Sequence, residues 1–312
     1  MSGAEARAPA SGRDWRTPGG LDRLTVVATM PTIAQRAERL LGTPVVSTNP
    51  VAGGDVCTAT RLRLSDGRTA VVKTRPHPPV GFFESEAAGL AWLAESETVS
   101  VPDVLAHDAE CLILAWVEPG RPTPENAVNF GRALARLHAS GAPSYGADRD
   151  GFIGVLPLRN GPAPSWPEFY ATRRVLPYLK LAVDRGQIGA TDAADVERVV
   201  RRITEIAGPA ESPARLHGDL WNGNVIWARE GEAHLIDPSA HGGHRETDLA
   251  MLALFGLPQL QRALEAYQAE APLADGWEDR VPLHQLYPLL VHTCLFGASY
   301  GARAGSAARH YL

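Results

Sequence analysis

The chain has 312 residues, 45% of them hydrophobic and 21% charged, with a formal net charge of −5, a composition that supports a sizeable core in one large domain or two lobes. The acidic balance argues against nucleic-acid and membrane-surface partners, no apolar run reaches the roughly 20 residues of a membrane span, and the N-terminus lacks the apolar centre of a signal peptide. Three scattered cysteines, Cys57, Cys111 and Cys294, give neither a disulfide framework nor a zinc pattern, and a cytoplasmic location is expected.

Residues 1–29 are rich in Gly, Ala, Arg and Pro and predict a flexible extension. Residues 30–118 read as a first lobe. Ile33 to Gly42 has helical spacing and a glycine stop. Two strand-like runs, CTATRLRL and TAVVKT, are joined by SDGR, a hairpin turn. Gly53 and Gly54 lie before the first of them, where backbone N–H groups can approach phosphates closely. The second run carries Lys73. Of 30 basic residues only Lys73 and Lys180 are lysine, so a compact point charge was kept here in a chain that otherwise uses arginine. The next segment, GFFESEAAGLAWLAES, has helical period. Glu86 shares its face with Phe82, Phe83, Leu90 and Leu93, whereas Glu84 shares its own with Ala87, Ala88 and Ala91. A carboxylate in an apolar stripe is costly unless paired, so Glu86 is the expected partner of Lys73. CLILAWVEPG then predicts a buried strand stopped by Pro-Gly. In a two-lobed kinase such a strand leads into the hinge, which places adenine against the backbone of Leu114, Ala115 and Trp116.

Residues 119–312 read as a second lobe. Residues 124–140 predict a helix with Phe130, Leu134 and Leu137 inward and His138 packed at its end. Residues 141–165 are loop-like, with GFIG embedded. The segment from Ser165 predicts a helix with Arg173 and Arg174 on a solvated face. Thr191 to Gly208 predicts an amphipathic helix with Val196, Val199, Val200, Ile203 and Ile206 inward.

The stretch RLHGDLWNGNVIWAREGEAHLIDPS, Arg215 to Ser239, carries the chemistry. Asn224 lies five residues after Asp219, and Asp237 thirteen after Asn224. A kinase catalytic loop has an Asp base, an Asn metal ligand five places on, and a metal-binding Asp beyond a hairpin. VIWA and AHLI around REGE predict that hairpin. A hydroxyl nucleophile needs a carboxylate to accept its proton, and Mg²⁺ prefers oxygen ligands such as an amide and a second carboxylate. Taken singly, Asp219 and Asn224 also suit a turn beside Gly218 and Gly223. Beyond the polar loop HGGHRE a helix starts, with Glu246 and Asp248 placed to favour its dipole. Two more helical stretches, about 258–270 and 280–300, follow. Only 75 residues come after Asp237, with no Ala-Pro-Glu among them, which points to a small-molecule kinase rather than a protein kinase.

At these residues the chain resembles the fructosamine kinase family, within the aminoglycoside phosphotransferase and choline kinase-like group. The motifs are HGDLWNGN (217–224), IDPSAHGGHRETDLAM (236–251) and FFESEAAGLAWL (82–93), supported by Gly53-Gly54, VVK (71–73), GFIG (151–154) and QLYPLLVHTCLFGASY (285–300). The resemblance implies an α+β, two-lobed protein kinase-like fold. A small antiparallel-sheet lobe with one helix would precede a larger, mainly helical lobe. It also implies ATP-dependent phosphorylation of a ketoamine sugar at its third hydroxyl, a step in deglycation. The partner would be a glycated amine, free or protein-bound. Asp219 would be the base, Asn224 and Asp237 would bind Mg²⁺, and Lys73 with Glu86 would set the phosphates. Trp221 would shape the sugar site, with His217 and Asp248 supporting the catalytic loop. Cys57 does not align with the redox-active cysteine of some members, and Thr293-Cys294 departs from more polar relatives. Two competing readings stand beside this one. An aminoglycoside or other small-alcohol phosphotransferase predicts an acidic cluster that the helices after residue 245 lack. A nucleotide-binding pseudokinase predicts loss of Lys73, Asp219 or Asp237, all of which are present.

Overall fold

The structure, a computed structural model, describes residues 32–52 and 56–312. The flexible extension expected over residues 1–29 and the glycine pair Gly53-Gly54 lie outside the described residues. The first lobe is built on a five-stranded antiparallel sheet in the order β1-β2-β3-β5-β4, with β1 Val45–Val51, β2 Thr58–Leu64, β3 Thr69–Thr74, β4 Val104–His107 and β5 Cys111–Ala115. Helix α1, Ile33–Leu41, precedes the sheet. It is opened by a Thr32–Gln35 capping box and closed by Gly42 in the left-handed region, so each end satisfies its orphan backbone groups. Helix α2, Phe82–Ala94, runs between β3 and β4.

Side-chain alternation gives the sheet two different faces. Leu62, Leu64, Ala70, Val72 and Ile113 pack with Ala37 of α1. Leu112 and Leu114 pack with Phe82, Phe83, Ala87 and Leu90 of α2. Lys73 follows Val72 and pairs with Leu112 across the ladder, so it falls on the α2 face. That is how one lysine enters an otherwise apolar layer.

The second lobe is mainly helical. It comprises α3 Pro124–Ala139, the hairpin β6 Gly151–Ile153 and β7 Leu156–Leu158, and α4 Trp166–Phe169. A π-helical segment, Tyr170–Val175, leads into α5 Leu176–Asp184. Then come α6 Ala190–Arg201, α7 Ile203–Ile206, β8 Ala214–Leu216, β9 Val225–Trp227, β10 Ala233–Leu235 and β11 His241–Gly243. Helices α8 Glu246–Phe255, α9 Leu260–Glu270, α10 Trp277–Phe296 and α11 Ala298–Arg309 complete it. One core joins Tyr170, Val175, Tyr178, Val196, Val199, Leu286, Tyr287 and Leu290. A second joins Phe130, Leu134, Leu137, Leu220, Val225, Trp227, Leu249 and Leu252, directly beneath the Arg215–Ser239 stretch.

Several expectations are corrected here. GFIG opens a β-hairpin within a region expected to be loop. The helix expected over 191–208 breaks at Arg202, and the last stretch splits at Gly297, whose φ of 106° only glycine adopts freely. Arg174 is not on a solvated face. It is 1% exposed, because the π-helical segment rotates it inward to donate to Arg159 O and Asn160 Oδ1 over the Phe169 ring. Glu246 and Asp248 stand in the first turn of α8, where its dipole favours them, as expected. Both are buried in polar networks.

Candidate active site

Strand β8 pairs with β11, and the chain turns at its end through Gly218, whose φ is 81°. A Cβ there would run into Ser239 O, so the close approach of the two segments requires glycine. Asp248 holds the turn from beneath. Its Oδ2 accepts from His217 N at 2.8 Å and its Oδ1 from Gly218 N at 3.0 Å. His138 Nε2 lies 3.2 Å from the same carboxylate and His138 Nδ1 lies 2.8 Å from the Tyr267 hydroxyl. A carboxylate only accepts, so Nε2 carries the hydrogen and Nδ1 accepts from Tyr267. Burial alone would raise the Asp248 carboxyl, but these hydrogen bonds and the nearby histidines hold it below the usual carboxylate range. His217 Nδ1 accepts from Asp219 N at 3.2 Å, so its Nε2 donates to Ile236 O at 2.8 Å. Burial lowers its pKa and keeps it neutral. One imidazole thus ties the Asp219 backbone to the strand that delivers Asp237.

The hairpin β9–β10 closes in the register Val225 to Leu235, and Ile236 N donates to Asn224 O at 3.0 Å. Asp237 therefore emerges beside Asn224. It does so at φ 55°, a left-handed conformation that aspartate tolerates better than most residues. The Asn224 Nδ2 amide donates to Asp219 O at 2.8 Å and to Asp219 Oδ2 at 3.1 Å. That leaves its Oδ1 lone pairs for another partner. From the other lobe, Lys73 Nζ lies 2.5 Å from both Glu86 Oε1 and Asp237 Oδ1. Burial would lower the lysine's pKa, but the two carboxylates more than offset it, and the net shift is upward. Lys73 stays protonated. Asp219 is pushed up to about 7 by burial and by repulsion from Asp237, against the Asn224 hydrogen bond. Two carboxylates and an amide oxygen converging on one space suit a hard, oxygen-seeking cation such as Mg²⁺. The donor set fits that ion.

The backbone of the β5 exit is drawn into the sheet. Ala115 N donates to Asp103 O at 2.9 Å and Trp116 N to Thr69 O at 3.1 Å. Leu114 lies inside the ladder, between β3 and β4. The Ala115 and Trp116 amides thus donate within the sheet. Among the described residues, the next amide, Val117 N, has no hydrogen-bond partner. The Trp116 side chain turns outward, its indole donating to Glu118 and covered by Arg61. The Trp221 indole folds over Gly223, where a Cβ would collide with it.

Sequence reasoning missed two further networks. Arg280 donates to both oxygens of Glu246, at 2.9 and 2.6 Å, and His284 Nε2 lies 3.2 Å from Glu246 Oε2. His244, Glu246 and His284 converge as metal ligands do. The guanidinium already occupies the carboxylate, so the cluster is a buried ion pair with two neutral imidazoles. The second network is Arg174 with His241, 3.4 Å apart, linked through His241 Nδ1 to Ser239 O. Both networks begin in the polar run HGGHRE; its glycines suggested a loop and gave no sign of burial.

The model of the fructosamine kinase family matches residues 29–312 of the chain. A Thermus thermophilus protein called a probable ketoamine kinase is 43% identical over 253 residues, spanning 80% of this chain and 88% of the relative. A crystal structure of a candidate fructosamine-3-kinase from Thermobifida fusca superposes with a TM-score of 0.85 at 49% identity, covering 89% of this chain and 98% of that one. A macrolide 2'-phosphotransferase from Brachybacterium faecium shares the fold alone, with a TM-score of 0.58 at 16% identity over 88% of this chain and 96% of its own. With its two-lobed kinase-like architecture, the chain belongs to the fructosamine kinase family, phosphotransferases with an alcohol group as acceptor.

Proposed function

We propose that the protein is an ATP- and Mg²⁺-dependent kinase that phosphorylates the third hydroxyl of a ketoamine sugar, in the cytoplasm, as a step in deglycation. The observation that carries this reading is the convergence of Lys73, Glu86 and Asp237 at 2.5 Å, beside Asn224 and Asp219. Glu86 holds Lys73 where it can pair with the α- and β-phosphates of ATP. Asn224 Oδ1 and Asp237 would hold Mg²⁺, which when bound would neutralise charge on the phosphates. Binding of those groups would replace the Lys73–Asp237 contact. Asp219 accepts the proton of the sugar hydroxyl as it attacks, and its raised pKa makes it a competent acceptor near neutrality. Adenine lies against the backbone of Leu114, Ala115 and Trp116, with the Val117 N–H as a further donor. The Gly53-Gly54 sequence would let backbone N–H groups approach the phosphates, and Trp221 lines the sugar. His217 and Asp248 hold the catalytic loop in shape. Phosphate at the third position then favours elimination from the amine, whether that amine is free or part of a protein.

The test is ADP formation with Mg²⁺ on fructose-lysine, ribulose-lysine and kanamycin, for the wild type and Asp219→Ala, with the phosphate located by NMR. Turnover of a ketoamine at its third hydroxyl, lost in the variant, is the expected result. Turnover of kanamycin alone would move the protein to the drug-modifying branch.

A further inference from the structure

An aromatic wall runs outward from the catalytic loop. Trp221 stands two residues after Asp219, and its ring centroid is 6.2 Å from that of Phe255 at the end of α8. Phe255 lies 4.4 Å from His292 on α10, with the rings inclined by 30°. His292 in turn lies 5.3 Å from Phe296 and 5.2 Å from Tyr300 on α11. The catalytic loop and three helices thus supply one continuous surface. It flanks the cleft, because Gly154 sits between Val56 of the first lobe and Leu295 of α10.

Core packing accounts for Tyr300, which lies against the core of the second lobe, but not for the rest of this surface. Phe296 is 51% exposed. Among the described residues, the Trp221 indole N–H and the Tyr300 hydroxyl make no hydrogen bond, while the Arg303 guanidinium lies 5.5 Å from the Tyr300 ring centroid. His292 Nδ1 meets Pro288 O at 2.8 Å and must donate to it, leaving Nε2 as an acceptor with no partner among the described residues. With Arg303 over Tyr300 and Phe255 against His292, the wall offers a cation the Trp221 ring, together with one hydrogen-bond acceptor, His292 Nε2.

We propose that this wall is the subsite for the amine half of the ketoamine: the protonated nitrogen against Trp221 and His292, and a flat apolar group borne by that nitrogen against Phe255, Phe296 and Tyr300. The inference rests on the ketoamine reading and adds to it a substrate class, ketoamines of arylalkyl or apolar alkyl amines. The sugar is held at Asp219, and the amine's substituent has no other direction in which to find aromatic cover from residues adjoining Trp221.

The experiment compares two ketoamines of one sugar, formed from benzylamine and from methylamine, in steady-state kinetics of the full chain and of Phe296→Ala. Phe296 is exposed, so its truncation leaves the fold intact. The wild type is expected to prefer the benzyl adduct by about tenfold in kcat/KM, through KM, as stacked aromatic contacts provide. Phe296→Ala is expected to reduce that preference to about twofold. Equal kcat/KM for the two adducts, or an undiminished preference in Phe296→Ala, overturns the subsite while leaving the kinase reading in place. If neither adduct is phosphorylated although ATP binds, the kinase reading fails and the subsite fails with it.

Discussion

Asp219→Asn is expected to make the protein more stable while abolishing its activity. The substitution keeps the shape of the side chain and an oxygen that can accept from Asn224 Nδ2, now 3.1 Å away. It removes a charge that burial and Asp237 both oppose. The carboxyl moves from an ordinary 3.8 to about 7, a ceiling of roughly 4 kcal/mol at about 1.4 kcal/mol per tenfold change in proton affinity. Water at its exposed edge screens this to about 1–3 kcal/mol. The sign follows from linkage. A carboxyl with a raised pKa binds its proton more tightly in the folded state, so ionising it costs stability as pH rises from about 4 to about 7. The variant should therefore melt several degrees above the wild type at pH 8, and the two should nearly coincide near pH 4. Thermal denaturation at both pH values, without nucleotide or Mg²⁺, measures the gap. ADP formation on a ketoamine should fall by at least about a hundredfold for loss of the base, and wild-type kcat/KM should drop on the acid side of about pH 7. Equal melting of the two proteins at pH 8, or a gap that ignores pH, would refute the reasoning.

Three other outcomes are expected. Gly218→Ala forces a Cβ into Ser239 O at a φ of 81°, costing at least about 2 kcal/mol, and should lower both melting temperature and kcat. Glu246→Ala leaves the Arg280 guanidinium buried without its partner, and urea titration should show a loss of about 3–5 kcal/mol. Burial alone would raise the Glu246 carboxyl, but His284 and Arg280 hold it at about 2. The wild type should accordingly lose that stabilisation as pH falls from about 4.5 toward 2, and the variant should not. Val117→Pro removes one free N–H and breaks no hydrogen bond among the described residues; KM for ATP should rise about tenfold with the ketoamine KM little changed, whereas an unchanged KM for ATP would return the adenine contact to another group.

The parts of the site legible in the sequence are those whose geometry is local. The spacing of Asp219, Asn224 and Asp237 is set by one short hairpin, and REGE between two apolar runs announces it. Lys73 and Glu86 lie on separate segments, yet Glu86 sits in an apolar stripe that admits a charge only when paired, and Lys73 stands out as one of only two lysines. The hinge amides were not legible, because whether Ala115 N is free depends on Asp103, a residue brought in by β4. Arg174 misled for a related reason. Its neighbours suggest a regular solvated helix, and only the extra residue in the π-helical segment turns it toward Asn160. The Glu246–Arg280 pair spans two helices, α8 and α10, and each partner alone looks like an ordinary surface charge near a helix start. Burial of a charge is a property of the pair and not of either segment. The same logic explains why the aromatic wall escapes a linear reading: Trp221, Phe255, His292 and Tyr300 belong to four separate stretches, and only their packing gives the catalytic loop an apolar flank.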